Sequence, residues 1–130
     1  MAGTTAGEAG PEGKRRRALV VEDEYLVAML VEDMLHALGY DVGEIAQDLA
    51  AATKAAEQGD FDVAVLDVNL EGAFSNPVAD ILKRRGIPFI FATGYGQAGP
   101  HETFEGTPAL QKPFDEDGLR RALSEVMGGA

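Results

Sequence analysis

The chain has 130 residues, 45% of them apolar, which suits one globular domain with an ordinary core and argues against a second. It carries 11 Lys and Arg against 22 Asp and Glu, a formal net charge of −11 at pH 7, and this balance argues against direct binding to nucleic acid, which is driven by basic side chains neutralising phosphates. Zero cysteines exclude disulfides, thiolate zinc sites and cysteine nucleophiles; with no run of about eighteen apolar residues and no secretory leader, a cytoplasmic protein without membrane contact is expected.

Residues 1–13 are small, Gly-rich and aperiodic, and are expected to form a disordered tail ahead of a folded domain over 14–130. The basic run from Lys14 to Arg17 reads as a solubilising flank. Ala18 to Val21 is a short apolar run ending in acids, which suits a buried parallel strand. Between Glu24 and Leu38, apolar residues recur at three- and four-residue steps (Val27, Leu30, Val31, Met34, Leu35, Leu38), predicting a helix stopped by Gly39. Tyr40 to Ala46 is a weaker strand, and Asp48 to Gln58 an Ala-rich helix stopped by Gly59. Phe61 to Leu66 predicts a strong strand that delivers Asp67. Pro77 opens a helix running to about Arg85, and Ile87 to Ala92 is a buried strand delivering Thr93. Gly94 to Pro108 is rich in Gly and Pro, so a fourth helix there should be short or irregular. Ala109 to Gln111 is a last short strand, and Asp115 to Met127 a terminal helix.

Strands alternating with helices imply an α/β fold with right-handed crossovers, here a flavodoxin-like doubly wound sheet of five parallel strands in the order 2-1-3-4-5. Ligands in such sheets bind outside the carboxyl ends of the strands. Glu22 and Asp23 follow the first strand, Asp67 the third, Thr93 the fourth and Lys112 the last. Three carboxylates brought together repel one another unless a cation joins them, and hard oxygen ligands select Mg²⁺. Lys112 adds a point charge and Thr93 a hydroxyl for phosphoryl oxygens, so the set suits phosphoryl transfer to a carboxylate nucleophile, with Asp67 the natural acceptor.

Four segments, LVVEDE at 19–24, VLDVNL at 65–70, FATGYG at 91–96 and KPF at 112–114, resemble the response-regulator receiver domains, and the resemblance covers about residues 16–128. It implies a phosphoacceptor of a two-component phosphorelay rather than an enzyme, served by a sensor histidine kinase and signalling to a downstream protein. Glu22 and Asp23 match the acidic pair that holds Mg²⁺, and Asp67 the phosphorylated aspartate. Asn69 would lend its backbone carbonyl to the metal, while its side chain influences dephosphorylation. Thr93 matches the switch hydroxyl and Lys112 the lysine that pairs with the phosphoryl group. PFIFATGYG at 88–96 is similar to the signature of the narrower FAT GUY receivers, stand-alone regulators of stress signalling that act with kinases of the HWE or related type.

One position departs from that pattern. Where receivers carry Tyr or Phe three residues before the lysine, this chain has Ala109, so readout is expected to run through Thr93 and a switch loop of Gly94, Tyr95 and Gly96. His36 reads as a partly exposed helix residue, His101 as a loop residue without a metal partner, and Phe104 and Phe114 as packing residues. Two rivals use related chemistry: a phosphate-independent pseudo-receiver, and an aspartate-nucleophile phosphatase of the haloacid dehalogenase type. The phosphatase needs a second Asp two residues after its nucleophile, where this chain has Asn69.

Overall fold

The computed structural model describes residues 15–94 and 106–128. The elements in chain order are β1 (Arg16–Val21), α1 (Tyr25–Ala37), β2 (Tyr40–Ala46), α2 (Leu49–Gln58), β3 (Val63–Asp67), β4 (Asn69–Leu70), β5 (Ala73–Phe74), α3 (Asn76–Arg85), β6 (Phe89–Thr93), β7 (Ala109–Gln111) and α4 (Glu116–Val126). Five of the strands form one parallel sheet ordered β2-β1-β3-β6-β7, which is 2-1-3-4-5 along the main-sheet strands, as expected.

Because side chains alternate across a strand, each central strand feeds two cores. Leu19, Val21, Ala64, Leu66, Phe89 and Phe91 face α2 and α3, while Ala18, Val20, Val63, Val65 and Ile90 face α1 and α4. The helices start where the sequence supplies caps. Asp48 accepts the Ala51 N–H at 2.7 Å and Asp115 accepts the Gly118 N–H at 2.8 Å, Pro77 sits in the first turn of α3, and Glu116 and Asp117 complement the positive end of α4. Among the described residues no helix is long and apolar enough to cross a membrane.

Three expectations are corrected. The apolar stripe of α1 is narrower than its periodicity suggests: Ala28, Val31 and Leu35 are buried against the sheet, but Leu30 is 58% exposed and Leu26 78%. The sheet face buries Ala28, Val31 and Leu35, and Val27, Met34 and Leu38 pack partly buried beside them, so Leu30 is left outside. Nor is the basic run merely solubilising. The Arg15 guanidinium donates to the His36 carbonyl at 2.8 Å and pairs with Asp41, while Arg17 donates to the Asp60 carbonyl at 3.0 Å and lies over the Phe61 ring. These arginines tie β1 to its neighbours. Gly43 completes this arrangement. It is the extra residue of a bulge against β1, and a Cβ there would lie 2.6 Å from the Arg17 guanidinium and 2.9 Å from Phe61.

The third correction is the segment after Asp67, for which no strand was expected. It folds as the antiparallel hairpin β4–β5, pairing Asn69 with Phe74 and Leu70 with Ala73. The connection is Glu71–Gly72, both at positive φ (51° and 88°), the pattern of a type I′ turn. Glu-Gly is a weaker hairpin signal than Asn-Gly or Asp-Gly, which is why the turn escaped the sequence reading. The fourth-helix expectation falls largely on residues 95–105, outside the described residues, as do Tyr95, Gly96, His101 and Phe104.

Candidate functional site

The carboxyl ends of β1, β3, β6 and β7 bring Glu22, Asp23, Asp67, Thr93 and Lys112 to one edge of the sheet. β3 lies between β1 and β6, with Leu66 level with Val21 and Asp67 level with Ala92. β7 joins the far side of β6, with Gln111 level with Thr93, and the Lys112 N–H donates to the Thr93 carbonyl at 2.7 Å. Register therefore brings the lysine to the same edge of the sheet as the acids, and its long side chain reaches them.

Lys112 is the hub. Its ammonium donates to Glu22 Oε1 at 2.9 Å and to Asp67 Oδ2 at 3.2 Å, and both carboxylates are nearly inaccessible, Glu22 at 3% and Asp67 at 2% of full exposure. Their other oxygens take backbone donors: Glu22 Oε2 the Glu24 N–H at 3.1 Å, and Asp67 Oδ1 the Asn69 N–H at 3.2 Å. Asp23 stands apart from the lysine, half-buried, its Oδ2 accepting the Glu71 N–H at 3.0 Å. Glu22, Asp23 and Asp67 each offer an oxygen within 4.8 Å of the others, a spacing that suits one hard cation. Thr93 Oγ1 reaches the Gly94 carbonyl at 3.4 Å, too long to hold the hydroxyl firmly.

The sequence reading missed two features of this geometry. Glu22 and Asp23 are neighbours in the chain but have different surroundings, one on the lysine and one on the hairpin. The Asn69 side chain, assigned an influence on dephosphorylation, is turned into the hairpin, where Oδ1 accepts the Gly72 N–H at 2.8 Å. An Asn that opens a tight turn commonly accepts a nearby backbone N–H, and here it reaches the third residue on. Ala109 is exposed on its short strand, and Phe114 packs partly buried beside α1 and α4, as expected.

Burial pushes Glu22 up to about 7, with the Asp67 charge adding to the effect and the Lys112 and Glu24 hydrogen bonds opposing it. Asp67 is also raised, mainly by burial, against the pull of Lys112. Burial opposes the charge on Lys112, but the two carboxylates outweigh it and hold its pKa above the ordinary value. For an acid whose folded pKa is raised, the folded state keeps its proton while the unfolded state has lost it. Stability is therefore fully present below about 4.5 and declines as pH rises to about 7. Urea unfolding in a chelator is expected to show this decline, with Glu22→Gln flattening it. Mg²⁺, which competes with that proton, should stabilise the protein progressively more across the same window. A Glu22→Gln profile as steep as the native one would refute the assignment to Glu22.

Comparisons with known proteins identify the family to which this fold belongs. The response regulator receiver domain family matches residues 18–124. The phyllosphere-induced regulator PhyR of Methylorubrum extorquens is 30% identical over 84% of this chain and 42% of its own length. The chain thus spans about half the length of the curated relatives it matches. A solved PhyR described as a stress response regulator is 26% identical with a TM-score of 0.73, over 87% of this chain and 45% of that one. SdrG of Sphingomonas melonis Fr1 is 42% identical with a TM-score of 0.80, over 87% of this chain and 97% of that one. The receiver domain of the sensor histidine kinase PA1611 of Pseudomonas aeruginosa PAO1, solved with magnesium coordinated in its active-site cleft, is 25% identical with a TM-score of 0.75, over 88% of this chain and 99% of that one. With a family match spanning most of the chain and a sheet in the flavodoxin-like order, this protein belongs to the response regulator receiver domain family, whose members are phosphoacceptors of two-component signalling rather than conventional enzymes.

Proposed function

We propose that Asp67 accepts a phosphoryl group from a sensor histidine kinase, within a receiver domain over residues 14–130. Glu22, Asp23, Asp67 and the Asn69 backbone carbonyl would hold Mg²⁺, and Thr93 and Lys112 would receive phosphoryl oxygens. The observation that carries this reading is the Lys112 ammonium lying 2.9 Å from Glu22 and 3.2 Å from Asp67 at the mouth of a three-carboxylate cluster. When bound, Mg²⁺ would neutralise the carboxylates and take phosphoryl oxygens in its remaining positions. An Asp67 oxygen attacks phosphorus, the bond from phosphorus to the donor imidazole breaks, and its electron pair stays on that nitrogen. Lys112 then follows the negative charge from the carboxylate onto the phosphoryl group.

PFIFATGYG at 88–96 supports membership of the FAT GUY group, with a kinase of the HWE type and a role in stress signalling. The likeness to the PhyR stress response regulator supports the stress-signalling part of that reading. Output would pass by protein contact or by competition for phosphate. With no aromatic ring at Ala109, readout is assigned to Thr93 and the switch loop of Gly94, Tyr95 and Gly96.

Incubation with acetyl phosphate and Mg²⁺ tests the central step. Intact mass should rise by one phosphoryl group in the native protein, and neither Asp67→Asn nor chelator-treated protein should gain it. The same gain in Asp67→Asn would remove Asp67 as acceptor, and no gain in the native protein would favour a phosphate-independent binding module.

A further inference from the structure

The hairpin β4–β5 follows the proposed acceptor directly and touches two of the three metal acids, Asp67 and Asp23, through its backbone. The Asn69 N–H meets Asp67 Oδ1 at 3.2 Å, and the Glu71 N–H reaches 48 residues back to Asp23 Oδ2 at 3.0 Å. The second contact requires a turn that aims the Glu71 amide at β1. That turn places a non-glycine residue at φ 51°, in the left-handed region that costs an ordinary side chain energy. Two devices hold it there. Gly72 takes φ 88° without strain, and the Asn69 side chain accepts the Gly72 N–H at 2.8 Å. Strained backbone persists where its surroundings over-determine it, and functional sites concentrate such positions.

We propose that this hairpin is a positioning element for the cation. The Glu71 amide fixes the orientation of the Asp23 carboxylate, while Lys112 holds the other two, and so sets the spacing of Asp23 and Asp67 before the metal arrives. Ligands oriented by fixed hydrogen bonds bind a metal more tightly, and losing such partners commonly weakens binding by about 10- to 100-fold. The Glu71 amide and the Asn69 side chain are thus positioning groups that act through Asp23. This inference rests on the Mg²⁺ role proposed above for Glu22, Asp23 and Asp67.

Gly72 allows a clean test, because a Cβ there would meet nothing within 4 Å, so substitution acts through backbone conformation alone. The test is calorimetric titration of the full chain with Mg²⁺. Gly72→Val, whose β-branched side chain resists positive φ, is expected to weaken Mg²⁺ by about 10-fold. Gly72→Asn, which tolerates that region, should recover most of the affinity. In an Asp23→Ala background Gly72→Val should have no further effect, because the coupling runs through Asp23. If Gly72→Val does not fold, Asn69→Ala removes the acceptor that latches the turn and should show the same loss. Native affinity in the Gly72→Val or Asn69→Ala protein, or an equal loss in the Asp23→Ala background, would overturn the positioning role while leaving the metal site intact. No Mg²⁺ binding by the native protein would overturn the metal site itself, and the positioning role with it.

Discussion

Lys112→Met is expected to destabilise the metal-free protein by about 3–5 kcal/mol at pH 8, because it strips the shared counter-charge from two buried carboxylates. Glu22 and Asp67 are 3% and 2% exposed, and their remaining donors are one backbone amide each, so neither can recover its lost solvation from water. The pair can relieve the strain by taking up a proton, which the raised pKa of Glu22, about 7 with the lysine present, already favours. The defect should accordingly shrink on acidification. Urea unfolding of native and Lys112→Met protein at pH 8 and at pH 5.5 checks this, and an equal defect at both pH values would show that lost packing of the lysine stem dominates. Added Mg²⁺ should restore part of the stability at pH 8, since a divalent ion supplies the missing positive charge. The variant should nonetheless gain phosphoryl from acetyl phosphate far more slowly than native protein, because the ammonium that follows the migrating charge is gone.

Phe91→Ala is expected to cost about 3–5 kcal/mol, a large share of the stability of a domain this size. Phe91 is fully buried in β6, level with Leu66 of β3 and Ala109 of β7, and its ring meets Phe89 edge to face with centroids 5.5 Å apart. Removing the ring opens a cavity under the strand that carries Thr93, two residues from the hydroxyl. Phe74→Ala, where the ring is about half exposed on the hairpin edge, should change stability by no more than about 0.5 kcal/mol. Denaturant midpoints of the two variants decide the matter: a loss below about 1.5 kcal/mol for Phe91→Ala would mean that the surrounding core collapses into the space.

These two sites show how differently parts of the chain declare themselves. Phe91 was legible as core because it belongs to an unbroken apolar run, and such a run between turn residues reads as a strand buried on both faces. Asp67, Thr93 and Lys112 were legible because each ends or directly follows a strand, and a parallel sheet brings all its strand ends to the same edge. The contrast on α1 is instructive. Its periodicity correctly marks a helix and a buried row, but amphipathic spacing does not say how wide a stripe the sheet will cover, and Leu30 falls outside it. The hairpin after Asp67 was illegible for a further reason, since two strands of two residues each have too few alternations to register as a pattern.

The alternation of strands with helices and the four strand-end motifs were sufficient to give the fold class and the cluster of three acids with one lysine, on which the proposal of Asp67 as acceptor rests. These depend on residue type and on period, both of which are local properties. Only the tertiary structure separated the roles of Glu22 and Asp23, which are adjacent in the chain but meet partners 90 and 48 residues away. It also showed the Asn69 side chain accepting the Gly72 N–H within the turn, and it made arginines that looked like a flank into ties between β1 and its neighbours. Hydrogen bonds over such separations depend on strand register and on backbone conformation at one or two turn residues, and no local pattern carries that information.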